Sequence, residues 1–274
     1  MALNSVNTNV GAMIALQNLS VTNSELQTVQ NRINTGKKVS SAKDNGAIWA
    51  IAQGQRAEIG ALNAVKDGLN RGQSAVDVSL AAGESVSDLL VQMKELALAA
   101  KDSSLTAASR TALNEDFVSL RAQIASVVAN AEFNGMNLLD GTATGGFKAL
   151  ANVAGDSTID IASQTMTLAA LSIDASTLTT ETNAGAALTA IDDAIAAVSS
   201  KLAKLGTGSK ALGTHLTFVN KLQDTLEAGV GNLVDADLAK ESARLQALQT
   251  KQQLGVQALS IANSSTSILL GLFR

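Results

Sequence analysis

The chain has no cysteine, no proline and no tyrosine, with one tryptophan (Trp49) and one histidine (His215) in 274 residues. Without cysteine there are no disulfides and no thiolate metal sites. Without proline, helices can run long and unbroken. Aromatic residues make up 2%, which argues against a single globular core packed around large rings. A lone histidine has no metal partner, so His215 is read as a packing or surface residue. The net charge of -4 leaves no basic footprint for nucleic acid. The beginning of the chain lacks a basic segment followed by a continuous apolar one, so no Sec-type leader is expected. No run approaches the roughly 18 apolar residues of a membrane span, so membrane insertion is not expected either.

Charge is also missing from both ends. Met1–Ser24 and Gln252–Phe273 carry no charged side chain. Leu3, Val6, Val10, Met13, Leu254, Leu259, Ile261, Ile268 and Leu269 stand there among Asn, Gln, Ser and Thr. An unpaired charge is expensive to desolvate, whereas an amide or hydroxyl is satisfied by one hydrogen bond. Ends of this kind suit amphipathic helices buried on all sides by other chains. Leu19, Leu26 and Ile33 recur every seven residues, as do Leu254, Ile261 and Ile268. Val29, Leu245, Leu248, Leu259, Leu269 and Phe273 widen the two stripes.

What the interior has is a 3-4 apolar repeat. One run reads Leu62, Val65, Leu69, Gly72, Val76, Ser79, Gly83, Val86, Leu90, Met93, Ala97, Ala100. A period of 3.5 predicts a coiled-coil-like seam. Gly72, Ser79 and Gly83 permit close helix approach and are candidate packing-switch positions. A second run follows Leu113, Phe117, Leu120, Ile124, Val127 and Ala131. A third follows Leu188, Ile191, Ile195, Val198, Leu202, Leu205, Ser209, Leu212, Leu216 and Val219. The first two are separated by Asp102-Ser103-Ser104, read as the end of one helix and the cap of the next. The second is expected to stop near Phe133-Asn134-Gly135.

From Asp140 to about Asn183 the helical period disappears. Ala154-Gly155-Asp156-Ser157, between Phe147–Val153 and Thr158–Ala162, signals a hairpin. Asp235 and Asp237 resemble a carboxylate pair, but capping of a helix at Leu238 explains them better. Lys37 and Lys38 either meet an acidic groove on a neighbour or are solvated. Trp49 is read as an anchor within the chain.

Together these readings predict a mainly α fold: an elongated, rod-like bundle of long coiled-coil-like helices. Its terminal helices pair, and a small β-hairpin region lies at the mid-chain tip. Residues 1–40 with 233–274 form the terminal domain. Residues 41–232 form a rod with helices at about 42–100, 104–131 and 185–230 and the hairpin region at about 140–183.

Four motifs in order then resemble bacterial flagellin. Arg32-Ile33-Asn34-Thr35-Gly36-Lys37-Lys38-Val39-Ser40-Ser41-Ala42-Lys43-Asp44-Asn45 is similar to the family's RLSSGLRINSAKDD. Leu90-Val91-Gln92-Met93-Lys94-Glu95-Leu96-Ala97 is similar to LQRVRELA. Glu132-Phe133-Asn134-Gly135 with Leu138-Leu139-Asp140-Gly141 is similar to QFNGxxLLDG, and Asn263–Arg274 resembles the family's ending.

The resemblance implies a non-enzymatic structural subunit of the swimming filament, in a minimal form with almost no outer insert and no cofactor. It implies that Leu3, Val6, Val10, Leu19, Leu26, Ile33, Leu254, Leu259, Ile261, Ile268, Leu269 and Phe273 pack in an inner tube. It also implies export through the flagellar type III apparatus to an extracellular filament. The implied partners are further copies and paralogous flagellins, an export chaperone and export gate, and hook-associated and cap proteins. A hook–filament junction protein shares the helical ends and is the alternative. Gln92 stands where many flagellins carry an arginine that contacts the animal toll-like receptor, so weak receptor activation is expected. The paired lysines at 37 and 38 also depart from the family signature, which has one base there.

Overall fold

The structure is a computed structural model that describes residues 8–271, with side chains described through residue 264. The described residues form five helices, with two small antiparallel hairpins between the third and the fourth. They are α1 (Val10–Thr35), α2 (Gly46–Ala100), α3 (Ala107–Asn130), α4 (Glu181–Val234) and α5 (Leu238–Gly271). Between α3 and α4 lie β1 (Glu132–Phe133), β2 (Met136–Asn137), β3 (Phe147–Leu150) and β4 (Thr158–Ile161). The chain folds as two compact units. One comprises the chain up to Ala57 and from Thr225 onward; the other is Glu58–Asp224. The sequence-based boundaries fall where α1 and α4 end, whereas the units divide within α2 and α4.

In the unit Glu58–Asp224 the 3-4 repeat of α2 becomes the core. All twelve seam positions from Leu62 to Ala100 are buried. On α3 and α4 the buried and half-buried seam positions alternate: Phe117 and Ile124 are buried, as are Ile191, Val198, Leu205, Leu212 and Val219. The small seam residues are occupied from within the chain. A Cβ on Gly72 would strike the Phe147 ring, and one on Gly83 would lie 2.6 Å from Leu202 Cδ2. Ser79 turns its hydroxyl back to the Ala75 carbonyl at 2.8 Å.

Two turns differ from expectation. α2 ends at Ala100 and α3 is capped by Thr106, whose hydroxyl accepts from Ser109 N at 3.2 Å. Asp102 instead closes a local turn by accepting from Ser104 N. Arg110 reaches back to the Ala100 carbonyl at 2.9 Å, satisfying an orphan acceptor at the end of α2, and to the Leu105 carbonyl of the connection at 3.0 Å. α3 ends at Asn130, not at Asn134-Gly135. Those two residues have φ of 52° and 80° and form the tight turn between β1 and β2, the backbone a two-residue hairpin demands.

Asn137 then enters the core. Its amide donates to Val128 O at 2.7 Å and accepts from Leu139 N and Asp140 N. This fixes the fully buried Leu138 and Leu139. β3 pairs with β4 in the register Phe147↔Ile161 to Leu150↔Thr158. The strands are shorter than predicted because residues 151–157 form a wider turn, with Asn152 accepting from Gly155 N. Ile161 seats on Gly208, where a Cβ would come within 2.7 Å. Residues 162–180, which carry no helical period, are held from outside. Arg121 donates to the Asp174 and Ser176 carbonyls, and Asn114 accepts from Leu178 N.

Candidate functional site

The other unit is built on the antiparallel pair α1 and α5. Asn9 caps α1 by accepting from Ala12 N at 2.9 Å. Gly36, in the left-handed conformation, ends it at φ 67°. The chain then crosses α4: Ala236 N donates to Gly36 O, and Lys38 N donates to Val234 O at 2.7 Å. The Lys38 ammonium lies on the Asn232 carbonyl at 3.1 Å, in the last turn of α4. A cation is favoured there by the helix dipole, which gives one of the paired lysines a place. Asp237 caps α5, accepting from Ala239 N and Lys240 N at 3.0 and 3.1 Å. The two aspartates are therefore turn and cap residues, as the sequence suggested.

Ala12, Ala15, Leu19, Thr22, Leu26, Val29 and Ile33 are the buried and half-buried stripe of α1 at 3-4 spacing. On α5 the corresponding stripe is Glu241, Leu245, Leu248, Gln252, Gly255, Leu259 and Ala262. A Cβ on Gly255 would lie 3.3 Å from Leu19 Cδ1. Three polar links cross the pair: Asn9 to Ala262 O at 2.7 Å, Gln252 to Asn23 at 2.7 Å and Arg32 to Glu241 at 3.1 Å. Sequence reasoning missed Ala12, Ala15, Thr22, Gln252, Gly255 and Ala262. They are small or polar, and only the unbroken 3-4 spacing could have revealed them.

Of the twelve residues expected to pack in an inner tube, the structure brings Leu19, Leu26, Ile33 and Leu259 to this seam. Val10, Leu254 and Ile261 lie off it and are exposed, Ile261 by 69%. Leu3, Val6 and Phe273 lie outside the described residues, as do the side chains of Ile268 and Leu269. Met13, Ile14, Leu16, Val21 and Val256 are also more than half exposed. The pair thus closes its seam with one row of aliphatic, small and polar residues and leaves a second set of large aliphatic side chains outward. Extended apolar surface of that kind marks an interaction site.

Elsewhere, Gln92 is exposed on α2 and Trp49 is half-buried in its first turn. His215 meets the Ala151 carbonyl through Nε2 at 2.7 Å and stacks obliquely on Phe218 at 5.6 Å. Its role is to hold the wide hairpin turn on α4. Among the described residues no group of three or more His, Cys, Asp or Glu is placed to hold a metal ion. No helix among them is long and apolar enough to cross a membrane.

Comparison with known proteins is concordant along the chain. Residues 6–144 match the bacterial flagellin N-terminal helical region, and residues 188–273 match the C-terminal helical region. Flagellin FljM of Caulobacter vibrioides is 61% identical over the whole of both chains. The flagellin of Brucella melitensis is 37% identical, covering 98% of this chain and 99% of its own. Among solved structures, Bacillus cereus flagellin superposes with a TM-score of 0.51 at 22% identity, covering 56% of this chain and 88% of its own. A flagellar hook-associated protein from Vibrio parahaemolyticus gives 0.57 at 17% identity, covering 70% and 100%. These two likenesses show the fold alone.

Proposed function

The chain belongs to the bacterial flagellin family, and from that premise we propose how its parts serve a filament. It is a structural subunit of the flagellar filament, short because it carries almost no outer insert. The observation that carries our reading is the exposed aliphatic surface of α1 and α5 outside their shared seam. Residues 1–40 and 233–274 form the assembly domain, and Val10, Leu254 and Ile261 are covered there by neighbouring copies. Leu19, Leu26, Ile33 and Leu259 set the pair's own register. Leu3, Val6, Ile268, Leu269 and Phe273, outside the described residues or side chains, are assigned to the filament's inner packing by the family resemblance alone. Residues 41–232 form the rod.

Copies and paralogous flagellins are the partners in the filament. An export chaperone, the export gate of the type III apparatus, and hook-associated and cap proteins are the partners before and at its ends. Secretion by that route delivers the chain to the extracellular filament. The junction-protein alternative is not favoured, since the full-length relatives at high identity are flagellins. The subunit has no catalytic role in this reading.

The test is assembly of the purified chain, followed by electron microscopy. The full chain forms long helical filaments. A chain trimmed by about twenty residues from either end stays folded and soluble without polymerising, because it has lost part of the α1–α5 surface. Filaments from the trimmed chain would refute the assignment of the ends. Gln92, exposed where an arginine serves receptor contact in many flagellins, gives weak activation of the toll-like receptor. Potent activation in a reporter-cell assay would overturn that. The packing-switch role of Gly72, Ser79 and Gly83 acts through the close approach that small residues permit, Gly72 lying against Phe147 and Gly83 against Leu202. Unchanged filament waveform in the alanine variants of the two glycines, across pH and torque reversal, would remove it.

A further inference from the structure

The unit built on α1 and α5 carries two polar grooves of opposite charge. The first, of about 600 Å³, lies between α1 and the segment that follows it. Its floor is neutral and hydrogen-bonding, with Ser24, Thr28 and Asn31 from α1; its charge comes from Arg32, Lys37 and Lys43. Arg32 is paired with Glu241. Asp44, the one acid in the lining, is taken up by the amides and hydroxyls of Ser40 and Ser41. No carboxylate among the described residues lies within ion-pair distance of Lys37 or Lys43. The second groove, of about 520 Å³, surrounds the turn between α4 and α5. Glu227, Asp235 and Asp237 line it, with Lys38 at its margin on the Asn232 carbonyl. Among the described residues no cation lies within ion-pair distance of Glu227 or Asp235 either.

Lys37 and Asp235 are directly opposed across an isolated antiparallel bridge. Their main chains meet, yet their side chains make no ion pair and line different grooves. We propose that the Lys37–Lys43 groove of one copy receives the Glu227–Asp235 groove of a second copy. The proposal rests on the filament reading and deepens it, because it names a contact between subunits. Three observations favour a second copy as the occupant. The charges are complementary. The basic groove shares α1 with the exposed aliphatic surface, so the two are continuous. The pairing is also heterologous, one surface against a different one, and such contacts build open helical polymers where they do not close into rings. The charge pairs set which copy docks in which register, and the aliphatic surface supplies most of the attraction.

Charge exchange tests this on the full chain. The variant K37E/K43E carries two acidic grooves, and E227K/D235K carries two basic ones. Asp237 is left alone because it caps α5. Each variant alone raises the critical concentration for polymerisation about tenfold, as two lost pairs and two repulsive ones imply. An equimolar mixture of the two restores polymerisation near the wild-type concentration, with the variants incorporated equally. The mixture is decisive because it repairs pairing between copies but not pairing between Lys37 and Asp235 within one chain. The fourfold variant, with both grooves exchanged, also recovers. Circular dichroism of each variant confirms unchanged helix content. Normal assembly of either variant alone, or a mixture no better than its components, would overturn the proposal. If the wild-type chain itself forms no filament, it is the filament reading that falls.

Discussion

Gly72 and Gly60 both sit on α2, yet they ask opposite things of a methyl group. At Gly72 a Cβ runs into the Phe147 ring, and at Gly83 it meets Leu202, whereas at Gly60 nothing lies within 4 Å. Gly72→Ala and Gly83→Ala are therefore overpacking changes and should each lose about 1–3 kcal/mol in denaturant unfolding. Gly60→Ala removes only backbone freedom and should gain about 0.5–1 kcal/mol. If Gly72→Ala and Gly83→Ala gain stability as Gly60→Ala does, the close contacts at Gly72 and Gly83 are not real constraints. Asp44 makes a different residue-level prediction. Hydrogen bonds from the Ser40 hydroxyl, then from the amides of Ser41 and Ser40, hold its carboxyl below the ordinary 3.8. A depressed carboxyl stabilises the fold above its unfolded value, and that contribution is lost as pH falls through the folded value. The turn at residues 40–44 should thus persist at pH 5 and open only in stronger acid. A carbon-detected titration of Asp44 with a midpoint at or above 3.8 would contradict this.

Among the elements, the long seam of α2 was the most legible part of the sequence. Its apolar and small positions keep one period over twelve positions, and that period suits a helical seam. The turns were less legible because their chemistry is shared. Asp102-Ser103-Ser104 and Thr106 offer competing caps, and the choice of Thr106 depends on Arg110 folding back over the end of α2. Asn134-Gly135 serves equally as a helix exit or a hairpin turn. What decides is Asn137, three residues from Asn134, whose side chain binds the last carbonyls of α3. Residues 162–180 were readable only as non-helical, because Arg121 and Asn114 hold them from a distance in sequence. The α1–α5 seam was legible only in part: Leu19, Leu26, Ile33 and Leu259 stood out, but amides, alanines and a glycine fill the positions between them, and Leu254 and Ile261 are exposed off the seam. The hairpin motif gives the sharpest element-level test. Asn137 is 4% exposed and makes bonds that no water can replace. Asn137→Ala strands Leu139 N and Asp140 N, at a cost of about 1–3 kcal/mol per unmet group, and leaves Val128 O with only the long bond from Ala131 N at 3.4 Å. Thermal unfolding should register that loss, and Asn137→Asp should not recover it, since a carboxylate cannot donate to the Val128 carbonyl. Full recovery by Asp would mean that the bond to Val128 is unimportant.

On the scale of the whole molecule, the two units are stabilised unequally. The unit Glu58–Asp224 buries Leu69, Leu90, Met93, Phe117, Ile124, Leu138, Leu139, Met166, Ile191 and Leu205 completely. In the other unit the buried described residues are Thr22, Val29, Val39, Ala52, Val230, Val234, Glu241 and Leu248, of which Thr22 and Ala52 are small or polar and Glu241 is charged. Local opening needs least free energy where few apolar contacts must be broken. A subunit whose assembly surface is loosely held before use orders that surface on binding, offsetting part of the contact energy with lost chain entropy. Hydrogen exchange should therefore separate the two units in the free chain. Amides of α1 and of α5 should exchange at least about 100-fold faster than those of the α2 seam from Leu62 to Ala100. In assembled filaments the same α1 and α5 amides should slow to the rate of the seam, because neighbouring copies then cover Val10, Leu254 and Ile261. The order of the two observations matters. Equal protection in the free chain would mean that α1 and α5 are stable as a pair alone, and that their outward aliphatic residues bind a preformed surface. Fast exchange that persists in the filament would mean that the pair is not the part buried by assembly.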